Sequence, residues 1–145
     1  MIGKPLKLNL SKLRVNKTLH GRSTYRPIDV PGHNIVTGWY RNMTKDAIDW
    51  FCHSGTSVFA CHDGTVEIRD NIGCVIITNE KYKTVYAHLH IREGLPKTVK
   101  QGDKIGWVGK VLKDPHLHFE LWIDGQGVTS STPKGLSEKL VGLMQ

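Results

Sequence analysis

The chain has 145 residues, 39% of them hydrophobic and 8% aromatic, with 15 glycines and a formal net charge of +7. That length suits one domain with a real core, and the composition suits a globular chain with many turns. No apolar run reaches membrane-spanning length, and charges stand where a signal peptide needs its apolar segment. The three cysteines, Cys52, Cys61 and Cys74, are an odd number in no metal-ligand spacing, which argues against a disulfide framework and for small buried hydrophobes.

Residues 1–34 hold Lys4, Lys7, Lys12, Arg14, Lys17, Arg22 and Arg26 against Asp29 alone, so the cationic character is concentrated there and residues 35–145 are close to neutral. Gly3, Pro5, Gly21, Pro27, Pro31 and Gly32 interrupt the stretch. The expectation is a basic N-terminal arm, extended or loosely ordered, with a short strand at Leu6–Leu13 where Leu6, Leu8 and Leu10 alternate with polar residues. Such an arm docks on an anionic polymer, ties the domain to other subunits of an assembly such as a virion, or is simply a solvated tail. A nucleic-acid reading rests on charge alone, since the body carries no recognised binding module.

From Ile35 onward the chain reads as short strands between turn signals, the pattern of an all-β domain over 35–145. The expected strands are Ala47–Trp50, Ser57–Cys61, Gly64–Arg69, Gly73–Asn79, Lys83–His88, Lys104–Val108 and His116–Trp122. Val66, Ile68, Val75, Ile77, Val85, Ile105 and Val108 are the expected core between sheets. Leu140, Leu143 and Met144 predict a short closing helix over Ser137–Met144. There is no phosphate loop and no dinucleotide fingerprint.

The stretch Pro115–Leu121 carries the chemistry. Side chains alternate on a strand, so His116, His118 and Glu120 share one face while Leu117, Phe119 and Leu121 share the other. Two imidazoles at i and i+2 lie roughly 6–7 Å apart, close enough for one to bind a metal and the other to reach water or substrate beside it.

Taken together, Ala47–Val66, Val85-Tyr-Ala-His-Leu89, Val99–Gly109, Pro115–Leu121 and the approach Gly38-Trp39-Tyr40-Arg41 resemble, in order, the lysostaphin/LytM-type zinc endopeptidases that cut peptide cross-bridges in bacterial cell walls. The resemblance implies an antiparallel β-sheet domain with a short C-terminal helix and a groove floored by zinc. It implies Asp49 and His118 as metal ligands and His88 and His116 as the catalytic histidines that handle protons and steady the oxyanion. Peptidoglycan peptides are the implied partners. A wall-enzyme resemblance without a signal peptide points to a virion or lysis protein.

One position departs from the family. Four residues before Asp49, where the family has a histidine ligand, stands Lys45, and a lysine ammonium has no lone pair for a metal. Three outcomes are open: the Lys45 ammonium takes the cation's place between Asp49 and His118; another histidine completes the site, His33 first and then His53 or His62; or the metal forces Lys45 neutral. The expectation is a weak or absent zinc and a degenerate site, with a non-catalytic wall-binding or structural role as the rival to the enzyme. His20, His53 and His90 read as ordinary surface histidines, and Tyr86 either faces the groove with His88 or packs. The charged Lys110-Val-Leu-Lys-Asp114 replaces the family's glycine-rich loop, so the family's usual substrate preference does not transfer.

Overall fold

The computed structural model describes residues 1–21, 23–29, 36–109 and 114–145, with side chains placed outside 22–43 and 110–113. In chain order the strands are β1 (Ser23–Asp29), β2 (Val36–Met43), β3 (Ala47–Phe51), β4 (Ser57–Phe59), β5 (Gly64–Arg69), β6 (Cys74–Thr78), β7 (Tyr82–Ala87), β8 (Leu89–Ile91), β9 (Thr98–Val99), β10 (Lys104–Val108), β11 (His116–Ile123) and β12 (Gln126–Gly127). One α-helix, α1 (Pro133–Gly142), follows. β1 and β2 form a hairpin, β4-β10-β8 a small sheet, and the rest a seven-stranded sheet ordered β12-β11-β7-β6-β5-β9 with β3 also on β11. The strand pairings are antiparallel, so the all-β class with a closing helix is what the chain adopts.

The alternation of β11 decides the layering. Leu117, Phe119 and Leu121 are fully buried and join Ile48, Trp50, Ile77, Tyr86 and Ile105 in the main core. The opposite face of the same strand is left for the histidines. Helix α1 closes the core from one end. Thr132 caps it by accepting from the Gly135 amide, Leu136 and Leu140 are buried, and the Ser137 hydroxyl accepts from the indole of Trp50 at 2.9 Å. One feature differs from expectation: Ile68 is 40% exposed, because β9 covers only Gly64 and Thr65 and leaves the far half of β5 at the sheet edge. Of the two readings left open for Tyr86, it packs, fully buried with its hydroxyl accepting from the Cys61 amide.

The expected loose arm is, over residues 1–21, part of the folded body. Ile2, Leu6 and Leu10 are 2%, 0% and 1% exposed in the main core, and Leu8 is exposed. Burial therefore recurs every fourth residue through bends and a 3₁₀ turn at Leu10–Lys12, and the strand expected at Leu6–Leu13 does not form. The backbone is tied in as well: Gly3 N donates to Cys61 O, Phe59 N to Pro5 O, and Gln145 N to Ile2 O. Farther on, the segment runs beside β3, where Phe51 N donates to Arg14 O, Asp49 N to the Asn16 side-chain oxygen, and Ala47 N to His20 O. Lys4, Lys7, Lys12, Arg14 and Lys17 remain on the solvent side.

Candidate metal centre

Register places the site. His118 on β11 stands directly opposite Asp49 on β3, and on its other side opposite Ala87 of β7. Cross-strand neighbours are the closest side chains a sheet offers, so this pairing brings carboxylate and imidazole together without a loop. His20 forms an isolated antiparallel bridge with Ala47, two residues before Asp49, and so reaches the same face from outside β3. One donor atom each from His20, Asp49 and His118 lies within 4.8 Å of the others.

Distances give the orientation of each ring. His20 Nε2 is 3.0 Å from Asp49 Oδ2, His118 Nδ1 is 3.5 Å from Asp49 Oδ1, and His116 Nε2 is 3.7 Å from the same Oδ1. His118 Nε2 donates to Glu120 Oε2 at 2.7 Å, which points Nδ1 toward the donor cluster. His116 Nδ1 donates to the Asp114 carbonyl at 2.9 Å, which leaves Nε2 with the lone pair facing inward. His88 is the single residue between β7 and β8, with a left-handed backbone, φ 67°, and its ring lies 5.0 Å from that of His116 and 5.9 Å from that of His118. Gly109 donates to the His88 carbonyl at 2.9 Å, and a Cβ at Gly109 would come within 2.7 Å of that oxygen, so a side chain there would displace His88.

Electrostatics follow from burial and proximity. Burial alone would raise the Asp49 carboxyl; the interactions with His118 and His20 and the neighbouring imidazoles outweigh it and hold the group below the usual carboxylate range. Burial alone would lower His118, yet Asp49 and Glu120 push it up to about 9 in the metal-free protein. That raised value contributes stability fully below the ordinary histidine range and loses it as pH rises through about 9; a cation binding at Nδ1 must expel the same proton. Burial, with His116 and His118 adding to it, lowers His88 to about 4, so it stays a neutral imidazole at pH 7.

The position of Lys45 differs from the first of the three outcomes set out above. β2 ends at Met43 and β3 begins at Ala47; in the corner between them Asp46 is buried and Lys45 is exposed, while the ion-pair contacts of Asp49 among the described residues go to His20, His116 and His118. His53 and His90 are exposed, and His62 is buried on a hydrogen bond to Thr84. His33 lies outside the described residues. The histidine beside Asp49 is His20, expected to be an ordinary surface residue, with 27% of its side chain exposed. No spacing motif marks it, because its place depends on a bridge formed across the whole β1–β2 hairpin.

This all-β domain places a His–Asp–His donor set on one sheet face, flanked by two more histidines, and these are donor types that hold a metal ion. The chain belongs to peptidase family M23, whose model matches residues 43–130. It is 35% identical over 119 residues to a protein named "Uncharacterized metalloprotease" of Haemophilus influenzae, covering 74% of this chain and 24% of that protein. It is 35% identical over 103 residues to the DD-carboxypeptidase/endopeptidase Mpg of Neisseria meningitidis serogroup B, covering 66% and 23%. The chain thus spans about a quarter of the length of these relatives. Its fold is similar to the catalytic domain of the antimicrobial peptidase lysostaphin from Staphylococcus simulans, with TM-score 0.54 and 20% identity over 89% of this chain and 95% of that one.

Zinc, the metal typical of this family, fits the residues present. His20 Nε2 and Asp49 Oδ1 are buried and make only ion-pair contacts to each other's side chains and to His116 and His118, with no well-aligned hydrogen bond among the described residues, as donor atoms turned toward a shared cation would be. Two imidazole nitrogens and one carboxylate are ordinary zinc donors, and three protein donors leave one position open, as catalytic sites require.

Proposed function

We propose that this chain is a zinc-dependent endopeptidase domain acting on the peptide portion of bacterial peptidoglycan, with His20, Asp49 and His118 holding the metal and His88 and His116 handling protons. One observation carries the reading: His20 supplies a third donor beside Asp49, so the lysine at position 45 does not leave the site with two. With three donors available, the expectation of weak or absent zinc, which counted two, loses its basis.

When bound, zinc polarises the scissile carbonyl and brings the pKa of water toward roughly 7. The protein does the rest. His116, its Nδ1 proton committed to the Asp114 carbonyl, accepts a proton at Nε2 from the attacking water. His88 remains uncharged at neutral pH and donates an N–H to the developing oxyanion. Asp49 and His118 are fixed by cross-strand pairing, so their geometry does not wait on substrate.

Purified chain incubated with isolated peptidoglycan tests this, with released peptides identified by mass. His116→Ala and His88→Ala each lower turnover roughly 10²–10⁴-fold while the zinc content stays unchanged. Zinc-loaded wild type that releases no peptide, or either variant with full turnover, contradicts the proposal.

A further inference from the structure

Glu120 is a buried carboxylate that takes no part in the proton transfers above, and its contact with His118 has a consequence for the metal site. It is 1% exposed, on the histidine face of β11, opposite Ala47 of β3 on one side and Val85 of β7 on the other. Burying a carboxylate is costly unless hydrogen bonds replace its hydration. Here both oxygens accept: Oε2 from His118 Nε2 at 2.7 Å and Oε1 from the indole Nε1 of Trp122 at 3.1 Å. The indole can only donate, so Oε1 accepts from it, and the 2.7 Å contact ties Oε2 to His118 Nε2.

The consequence falls on His118. An imidazole on a strand can rotate about χ2 and present either nitrogen, and only the nitrogen without the proton can bind a cation. The contact with Oε2 fixes the ring with Nε2 as donor and Nδ1 toward Asp49, 3.5 Å away. Trp122 holds the carboxylate in turn, so the chain of contacts runs from indole to carboxylate to imidazole to the donor cluster. All three residues alternate along one strand face at i, i+2 and i+4, so the strand's pleat sets their spacing.

We propose that Glu120 is the positioning residue of the metal site: it selects the His118 tautomer that ligates through Nδ1 and strengthens that nitrogen as a donor, with Trp122 orienting it. The proposal rests on the zinc reading above and concerns a residue that does not itself touch the metal.

Zinc affinity measured by competition with a chromophoric chelator, together with the histidine ¹⁵N spectrum of the zinc-loaded protein, tests it. Glu120→Ala weakens zinc binding roughly 10–100-fold, the range for loss of a partner behind a ligating histidine. Glu120→Gln, nearly identical in shape, keeps the fold if alanine does not; its neutral amide still binds zinc several-fold more weakly, and the His118 signals show a mixture of tautomers. Wild type shows one tautomer, protonated at Nε2. If wild type binds zinc and folded Glu120→Gln binds it within about twofold with the same single tautomer, the role given to Glu120 is wrong and the metal site stands. If wild type takes up no zinc, the metal reading itself has failed.

Discussion

Replacing His20 with alanine strips the protein of zinc and of peptidoglycan hydrolysis, while Lys45→Met changes neither. Losing a residue that merely orients a ligand costs roughly 10–100-fold in affinity, so losing one of three ligands costs more than that and leaves the two-donor site expected from sequence. The competing position has nothing to contribute: Lys45 faces solvent in the corner between β2 and β3, and the atoms around Asp49 belong to His20, His116 and His118. Lys45→His accordingly gives no large gain in zinc affinity. Metal analysis of dialysed protein and a hydrolysis assay on all three variants check this. Stoichiometric zinc in His20→Ala would contradict it, as would a sharp gain in Lys45→His.

Deleting residues 1–13 abolishes folding instead of trimming a tail. Ile2, Leu6 and Leu10 are buried in the same core as Trp50 and Phe119, and truncating one such side chain ordinarily costs about 2–5 kcal/mol. A domain of this size has a total stability of about 5–15 kcal/mol, so losing all three, with the backbone bonds to Cys61 and Phe59, leaves nothing in reserve. Leu6→Ala alone shifts the urea midpoint by an amount equivalent to roughly 2–5 kcal/mol. A truncated protein with a cooperative melt at the wild-type temperature would show that the segment is detachable after all.

The sequence was most informative where chemistry and packing share a strand. Alternation in Pro115–Leu121 separated a core face from a histidine face, and the structure keeps that division, with Leu117, Phe119 and Leu121 fully buried. Most strands end within a residue or two of their expected bounds, since turn residues punctuate them. The N-terminal segment imitates a solvated tail, because its apolar residues are spaced by four without the caps or length of a helix and lysines stand between them. His20 was hidden for a different reason. Motif reading assumes that ligands stay near one another in sequence, whereas this donor arrives through a single bridge to Ala47, lies outside the family-matched span, and is separated from Asp49 by a whole hairpin. Alternation puts Glu120 on the histidine face, but which nitrogen of His118 it contacts is set by the orientation of the ring, which a sequence pattern does not give.

Anomalous diffraction at the zinc edge from crystals of the protein, grown without added chelator, addresses the central claim most directly. The expected result is one fully occupied zinc per chain bonded to His20, Asp49 and His118. A Lys45 ammonium at that point, or an ion held by Asp49 and His118 with His20 turned away, would contradict it.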